Sequence, residues 1–159
     1  MTKIVIRPLQ HSDHRTSWKW RNDPAIWEYT GSRPDMLVDE ATERTWIEQV
    51  LAQTDSMRYA ICDETTDEYI GNVQITHIKN GVGEFHIFIG NKDYWGRGVG
   101  SQATRLMLQE AFAAGLTAVY LHVHSQNKAA VAIYERCGFV HTSVDGDMIR
   151  MDIGIAQFR

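Results

Sequence analysis

The sequence predicts a mixed α/β (α+β) fold in which a central β-sheet of six to seven strands is flanked by about four helices. Two observations carry this prediction. Apolar residues recur at a helical spacing before Ser56 and then alternate with a period of two over three consecutive segments. After a glycine-rich turn at residues 96–100 the helical spacing returns, and strand and helix patterns follow to the end of the chain.

The first third of the chain predicts one strand and three helical segments. The segment "KIVIRPL" alternates apolar and polar residues and stops at Pro8. "HSDHRTSWKWRND" predicts a helix with Ser12 as its N-cap, and Asp23-Pro24 predicts the start of a short helix that closes at Gly31. "VDEATERTWIEQVLAQ" predicts a third helix, with an apolar face formed by Trp46, Ile47, Val50 and Leu51.

The remaining elements follow in a regular order. "MRYAIC", "YIGNVQITHI" and "GEFHIFIG" predict a three-strand meander with turns at residues 63–67 and at Asn80-Gly81. The helix after the glycine-rich turn ends at Gly115. "AVYLHVHS" predicts a strand, "NKAAVAIYERC" a helix ended by Gly138, and "FVHTSV" with "DMIRMDIGI" a closing hairpin. One side of the last strand carries Ile149, Met151, Ile153 and Ile155.

Composition predicts one domain over residues 1–159 without a nucleic-acid or membrane partner. The chain is 43% hydrophobic, which suits a single core, and its net charge of −4 comes without any block of Lys or Arg. No apolar run reaches the length of a signal peptide or a membrane span, so we expect a cytoplasmic protein. Cys62 and Cys137 lie far apart, which predicts reduced thiols, and no metal site is expected because no His/Cys ligand spacing occurs.

The stretch "KDYWGRGVGSQA" places glycines at positions 96, 98 and 100, directly before a helical pattern. A strand-to-helix turn without side chains presents backbone N–H groups at the positive end of a helix dipole, which suits phosphate or pyrophosphate. The residues Gly100-Ser101-Gln102 lack the lysine of a Walker loop, and the G-x-G-x-G spacing differs from the dinucleotide fingerprint. A glycine-rich turn that serves packing alone is the remaining alternative.

"IGNKDYWGRGVGSQATRLML" followed by "LHVHSQNKAAVAIYERCGF" resembles the two acyl-coenzyme A signature regions of the GNAT superfamily of N-acetyltransferases. The predicted order of elements matches that fold over nearly the whole chain. Within the superfamily the sequence is most similar to the subgroup of ribosomal-protein N-terminal and spermidine acetyltransferases. One departure is Trp95, which stands where the loop usually begins with Gln or Arg. The resemblance implies an N-acetyltransferase that uses acetyl-CoA.

The resemblance also implies which residues bind the coenzyme. Backbone N–H groups from Arg97 to Ser101 would hold the pyrophosphate, and the end of the strand "FHIFI" would pair with the pantetheine arm. Main-chain donors near Phe88 and Ile89 would polarise the acetyl carbonyl. Asn127 is expected to cap its helix, to contact the coenzyme, or both. The implied cofactor-binding residues are Phe88, Ile89, Trp95, Gly96, Arg97, Gly98, Val99, Gly100, Ser101 and Asn127.

Acetyl transfer to an amine needs an acid for the departing thiolate and a base for the ammonium. The resemblance assigns Tyr134 in "AIYERCGF" as the acid, although a tyrosine on an amphipathic helix also suits core packing. An alkyl ammonium has a pKa near 10, so only about one molecule in a thousand is neutral at pH 7. Glu84 acting through a water is the first candidate for the base and His122 the second, with a structural role as the alternative for the histidine.

The acceptor is predicted to be a small molecule that carries a primary amine. Trp27, Glu28 and Tyr29 suggest an aromatic and acidic wall for a cation such as a polyamine, an aminoglycoside or an amino sugar, although helix packing explains them too. A protein N-terminus and a non-catalytic acyl-coenzyme A sensor are the alternatives. We expect direct attack in a ternary complex, because nothing near Cys137 would activate a thiol nucleophile. An edge strand in "DMIRMDIGI" would allow a homodimer.

Overall fold

The fold is taken from a computed structural model that describes residues 2–27 and 38–158. These residues form seven strands and four α-helices. The strands are Ile4–Pro8 (β1), Met57–Asp63 (β2), Tyr69–Lys79 (β3), Val82–Ile89 (β4), Ala118–His124 (β5), Val140–Asp145 (β6) and Met148–Gly154 (β7). The helices are His14–Arg21 (α1), Glu40–Leu51 (α2), Val99–Ala113 (α3) and Lys128–Cys137 (α4). Short 3-10 turns lie at His11–Asp13, Pro24–Trp27, Lys92–Tyr94 and Ile155–Gln157.

One mixed sheet holds all seven strands, in the order β1-β2-β3-β4-β5-β7-β6. Neighbouring strands are antiparallel except for β4 and β5, which are parallel because α3 carries the chain back across the sheet. The β4–β5 register contains three residue pairs and ends at Glu84 and Tyr120. On the sides that face away from each other, β4 stays paired with β3 up to Ile89 and β5 stays paired with β7 up to His124.

Strands β4 and β5 therefore separate beyond Glu84 and Tyr120, although β4 is still paired with β3 and β5 with β7. Residues 85–89 of β4 and residues 121–124 of β5 face each other without pairing, and we call the space between them the strand gap. A backbone edge inside a sheet normally has its N–H and C=O groups bonded, so the gap leaves hydrogen-bonding positions open in the middle of the molecule. An extended ligand with amide groups could occupy such a space.

The two faces of the sheet have different partners. Side chains of the odd-numbered residues of β4, β5 and β7 enter the main core, which also contains residues of α3 and α4. Members of this core include Phe85, Met107, Leu121, Met151 and Ile153, each at most 3% exposed. The opposite face packs against α1 and α2 over the first half of the sheet, and over β4, β5 and β7 it carries polar side chains.

Helix α1 is fixed to the end of β4 by Trp20. The indole lies 5.9 Å from the ring of Phe88 and 4.8 Å from the ring of Tyr69, measured between centroids. A Cβ atom on Gly90 would overlap the indole, so only glycine lets α1 approach this closely. The first helix therefore rests on the strand end that borders the gap.

A buried carboxylate joins α1 to α2. Glu43 on α2 is 2% exposed, and it accepts hydrogen bonds from the Ser17 hydroxyl at 2.7 Å and from Arg21 Nε at 3.2 Å. A buried carboxylate is tolerated when it is both paired and hydrogen-bonded, and Glu43 meets both conditions.

The predicted order of strands and helices is confirmed, as are the mixed sheet and its flanking helices. Two details of the first half differ. Ser12 is not the N-cap, because a 3-10 turn precedes α1 and the helix begins at His14. Leu51 is 41% exposed at the last residue of α2, outside the apolar face. The predicted closure at Gly31 lies outside the described residues.

The last hairpin also differs from expectation. Strand β7, which contains "MIRMDIG", lies between β5 and β6, so the predicted edge strand was wrong and β6 forms that edge of the sheet. Ile155 does not continue the apolar side of β7, because it follows the strand in a 3-10 turn and is 55% exposed. Among residues 2–27 and 38–158, no helix has the length and apolar character required to span a membrane.

We expect Gly90→Ala to destabilise the protein by about 1–3 kcal/mol, because the new methyl group overlaps the Trp20 indole. Chemical denaturation measures the change in the free energy of unfolding. In a Trp20→Ala background the same Gly90→Ala substitution should cost much less, because the overlap is relieved. An equal cost in both backgrounds would contradict this packing.

Candidate active site

The glycine-rich turn connects β4 to α3 and leaves open space beside its backbone. Gly96 and Gly98 have φ values of 74° and 77°, a left-handed conformation that favours glycine. A Cβ on Gly96 would meet nothing within 4 Å, and a Cβ on Gly98 would meet only Gln102 Nε2 at 4.0 Å. The two glycines therefore allow the left-handed backbone and leave the space beside it open. Close packing against the protein does not explain them.

The first turn of α3 presents free backbone donors beside these glycines. The amide of Gln102 donates to the carbonyl of Gly98 at 3.3 Å, which is the first hydrogen bond of the helix. The amides of Val99, Gly100 and Ser101 precede it and have no partner within the helix. A 15-residue helix adds its positive dipole end at the same place, so the turn suits an anion.

Side-chain contacts fix the turn to the β2–β3 hairpin. The hydroxyl of Tyr94 is buried and donates to the Asp63 carboxylate at 2.7 Å, which lowers the pKa of Asp63. Asn91 Nδ2 donates to Glu68 at 2.7 Å, and the Arg97 guanidinium lies 4.6 Å from the centre of the Tyr94 ring. The backbone of the glycine-rich turn is thus held in place by side-chain contacts.

Trp95 occupies the end of β4, at the mouth of the strand gap. Its indole Nε1 donates to the carbonyl of Ile89 at 2.9 Å. The amide of Gly90 donates to Ile70 in β3, so the alternation of an antiparallel pair directs the main chain of Ile89 away from β3 and toward the gap. The main chain of Phe88 faces β3 by the same alternation. Ile89 is therefore the better placed donor of the two predicted residues, and a coenzyme contact for Phe88 stays a prediction.

Tyr134 on α4 lies beside the start of the gap. Its ring centroid is 5.9 Å from that of Phe85, the first residue of β4 beyond the pairing with β5, and 5.7 Å from that of Phe139. The residue is 8% exposed, and burial raises the pKa of its phenol above the usual value. The phenol is therefore protonated at neutral pH. Core packing and a position next to the gap are both features of this residue.

Asn127 is the N-cap of α4, since its side chain accepts from the amide of Ala130 at 3.4 Å. The capping part of the prediction is confirmed by this hydrogen bond, and the coenzyme contact stays a prediction.

Both predicted base candidates meet on the polar face of the sheet. Glu84 Oε2 lies 3.0 Å from His122 Nδ1, so the two side chains form a hydrogen-bonded pair across β4 and β5. Two further imidazoles surround the same carboxylate, with His86 Nε2 at 3.6 Å and His77 Nδ1 at 3.8 Å from Glu84 Oε1. The His86 side chain is 44% exposed, and desolvation of its ring lowers its pKa against the opposing effect of Glu84.

Sequence reasoning missed two residues of this face, Tyr120 and Arg150. The Tyr120 ring meets the His122 ring edge to face at 5.9 Å, and the Arg150 guanidinium lies 4.2 Å from the centre of the Tyr120 ring. Arg150 is in turn held by two 3.0 Å hydrogen bonds to Asp152. The period of two along β5 would have identified Tyr120, whereas Arg150 requires knowledge of the strand order.

The predicted acceptor wall is only partly described. Trp27 ends the 3-10 turn Pro24–Trp27, and Glu28 and Tyr29 lie outside the described residues. Just before this turn, the Asp23 carboxylate pairs with Lys92 Nζ at 2.8 Å, next to the glycine-rich turn. Within residues 2–27 and 38–158, no cluster of three or more His, Cys, Asp or Glu side chains could hold a metal ion.

Comparison with known proteins finds acetyltransferases that are similar in sequence or in fold. The spermidine N(1)-acetyltransferase of Escherichia coli K12 is 26% identical over 157 residues, which cover 98% of this chain and 81% of that protein. A crystal structure of spermidine N-acetyltransferase from Vibrio cholerae with CoA and spermine matches with a TM-score of 0.87 at 24% identity, over 97% of this chain and 96% of that one. An aminoglycoside acetyltransferase in complex with coenzyme A has the same fold, with a TM-score of 0.78 at 21% identity over 98% and 96% of the two chains.

The acetyltransferase (GNAT) domain family matches residues 3–140, which include the glycine-rich turn, the strand gap and both candidate proton-transfer sites. The chain therefore belongs to the GNAT acetyltransferase family.

Proposed function

We propose that the protein is an acetyl-CoA-dependent N-acetyltransferase that acts on a small cationic amine by direct transfer in a ternary complex. The observation that carries this proposal is the continuity of three features. The open amides of the α3 N-terminus follow the end of β4, the strand gap runs along residues 85–89 of β4, and the buried phenol of Tyr134 packs on Phe85 at the start of the gap. An anion site followed by an unpaired strand edge suits a long ligand that has a phosphate end and an amide-bearing arm.

The residues fit coenzyme A in this arrangement. The amides of Arg97 to Ser101 would bind the pyrophosphate, and the open edge of β4 would bond the pantetheine arm. The N–H of Ile89 would donate to the acetyl carbonyl, and a donor aimed at a carbonyl that gains negative charge accelerates acyl transfer. Trp95 would close the end of this edge. Coenzyme contacts by Phe88, Gly96 and Asn127 are further predictions of the same arrangement.

When bound, acetyl-CoA would supply the acetyl group as a reactive thioester. Side chains of the protein would take a proton from the attacking ammonium and give one to the departing sulfur. The pair formed by Glu84 and His122 would take a proton from the ammonium, whose nitrogen then forms the new C–N bond. As the C–S bond breaks, the Tyr134 hydroxyl would give its proton to the sulfur. A covalent route through Cys137 is disfavoured, since burial raises the pKa of that thiol and keeps it protonated.

A polyamine is the first acceptor we propose, because relatives that match over most of both chains are named for spermidine. Trp27, Glu28 and Tyr29 would form the wall that binds the cation. Aminoglycosides and amino sugars are second candidates, in line with the aminoglycoside acetyltransferase of the same fold. A protein N-terminus and a non-catalytic acyl-CoA sensor are the alternatives that experiment must exclude.

Three broader predictions from the sequence belong to the same proposal. The chain would act as one domain over residues 1–159, in line with a single sheet that includes β1 and β7. It would act in the cytoplasm. A homodimer would use β6, the edge strand, whose Val140 and Val144 side chains are 54% and 68% exposed.

The first experiment measures thiol release from acetyl-CoA with polyamines, aminoglycosides, amino sugars and N-terminal peptides, for the wild type and for Tyr134→Phe. We expect release that depends on a small cationic amine. We expect Tyr134→Phe to lower kcat by about 10²–10⁴-fold, because the proton donor is lost. Coenzyme A binding should be unchanged, since phenylalanine keeps the contacts with Phe85 and Phe139. Coenzyme binding without release for any amine would support the sensor.

A second prediction concerns the anion site. Gly98→Ala should raise the KM for acetyl-CoA about tenfold, because a methyl group would enter the space beside the open amides. Gly146→Ala is the matched control, since Gly146 also has a positive φ, 59°, and a Cβ there would meet nothing within 4 Å, yet it lies in the β6–β7 turn. Both variants should lose about 1–2 kcal/mol of stability from backbone strain. An equal KM for both variants would argue against a coenzyme site at Gly98.

A further inference from the structure

We propose that Glu84 and His122 have distinct roles, with His122 Nε2 as the atom that accepts the acceptor's proton and Glu84 as the residue that positions the imidazole. This inference rests on the proposed acetyl transfer and deepens it. It reverses the order of the two base candidates from the sequence, and it adds Tyr120 as a second positioning residue.

The hydrogen bond between the two side chains determines which nitrogen is available. An ionised carboxylate only accepts hydrogen bonds, so Nδ1 of His122 must carry the proton that it shares with Glu84 Oε2 at 3.0 Å. In a neutral imidazole the other nitrogen, Nε2, then has the free lone pair. This Nε2 makes no hydrogen bond to the part of the chain that the structure describes, residues 2–27 and 38–158. It is therefore open to an incoming ammonium.

Exposure and position favour the same assignment. The side chain of His122 is 44% exposed, whereas that of Glu84 is 19% exposed and enclosed by imidazoles. Glu84 is the last residue of β4 that pairs with β5, and Tyr120 is its partner. His122 lies two residues beyond Tyr120, on the part of β5 that borders the strand gap. The imidazole is thus farther toward the open end of the gap than the carboxylate.

A second contact restrains the imidazole from its own strand. The Tyr120 and His122 rings meet at an interplanar angle of 86°, and the face of Tyr120 is covered by the Arg150 guanidinium. Arg150 is fixed by its paired hydrogen bonds to Asp152. A ring held by a hydrogen bond on one side and an aromatic edge on another loses little orientation freedom when the acceptor binds.

The surrounding charges suit a neutral imidazole that becomes charged during the reaction. Glu84 lies against Nδ1 and would stabilise the imidazolium, as would the negative charge of Asp152. Burial lowers the pKa of His86, so this imidazole stays neutral near pH 7 and leaves the Glu84 charge available. The titratable and charged groups that face the pair are His77, His86, Tyr120, Arg150 and Asp152, and Arg58 acts on His86.

The step balances as a proton transfer followed by attack. An N–H bond of the ammonium breaks and an Nε2–H bond forms, and the electron pair left on the amine nitrogen makes the C–N bond while the carbonyl π pair moves onto oxygen. When that pair returns, the C–S bond breaks and the sulfur takes the Tyr134 proton. The second proton that the nitrogen loses restores the Tyr134 hydroxyl through solvent. The proton stays on the imidazolium until solvent removes it, while the Nδ1–H remains bonded to Glu84.

The test compares pH profiles of kcat/KM for the wild type, His122→Gln and Glu84→Ala with one amine. We expect His122→Gln to lose about 10²–10⁴-fold and to lose the acid limb that reflects an imidazole. Glu84→Ala should lose only about 10–100-fold, the contribution of a hydrogen bond to a charged group, and should keep an acid limb because the imidazole is still present.

The matched control is His141→Gln. His141 is 46% exposed and lies 3.9 Å from Glu135, but it belongs to the edge strand β6, so this variant should keep the wild-type profile. Thermal melting and coenzyme A binding, measured for every variant, identify any that fail to fold. A His122→Gln enzyme that keeps the acid limb, or a Glu84→Ala enzyme that loses more activity than His122→Gln, would overturn the assignment.

A readout that needs no turnover is ¹⁵N NMR of the histidine side chains in the free protein. We expect His122 as the Nδ1–H tautomer in the wild type and a shift toward the Nε2–H tautomer in Glu84→Ala. An Nε2–H tautomer in the wild type would overturn the inference. Failure of the proposed function is distinct, since it requires a wild type that releases no thiol with any amine.

Discussion

The parallel pairing between β4 and β5 ends after three residues, and the rest of the candidate site depends on this early end. Strand β3 keeps β4 extended to Ile89, and β7 keeps β5 extended to His124, so the two edges stay straight while they separate. The N–H of Ile89 is then directed into the gap, while its carbonyl accepts from the Trp95 indole. A sheet that was paired throughout would have no position for a ligand with a peptide-like arm.

This separation also divides the proton chemistry between the two faces of the sheet. Tyr134 lies on the face covered by α3 and α4, packed against Phe85. Glu84 and His122 lie on the opposite, polar face. A reacting group in the gap would have a proton donor on one side and a proton acceptor on the other, which keeps the two from neutralising each other. Burial of the phenol and exposure of the imidazole follow from the same arrangement.

Local patterns in the sequence predicted most of the fold, because periodicity and turn residues act over short distances. The Asn80-Gly81 turn, the glycine-rich turn and the Asn127 cap are all local features. The predicted N-cap at Ser12 was wrong because the chain forms a 3-10 turn at this residue before the α-helix begins. The order of the last strands could not be predicted, because a hairpin pattern does not say which of its strands joins the sheet.

In the candidate site too, local features could be predicted from the sequence and contacts between distant strands could not. Tyr134 and the glycine-rich turn could be proposed from the sequence because each lies within one motif. The contact between Glu84 and His122 depends on the register of two parallel strands 38 residues apart in the chain, which no local pattern encodes. Trp95 differs from the residue expected in the motif, and its hydrogen bond to Ile89 is seen only in the structure. The contribution of Arg150 depends on β7 lying next to β5.

The short pairing has a further consequence for cooperativity. The ladder between β4 and β5 has three residue pairs, and the amides of Thr117 and Ala118 add bonds to the carbonyl of Gly81 at its start. Beyond Glu84, side-chain packing around Phe85, with α3 and α4, holds the two halves of the sheet together. We expect the halves to behave as separate foldons, with amide protons along the gap exchanging faster than those of β3 or β7. A ligand that bridges both edges would complete the ladder and merge them into one cooperative unit.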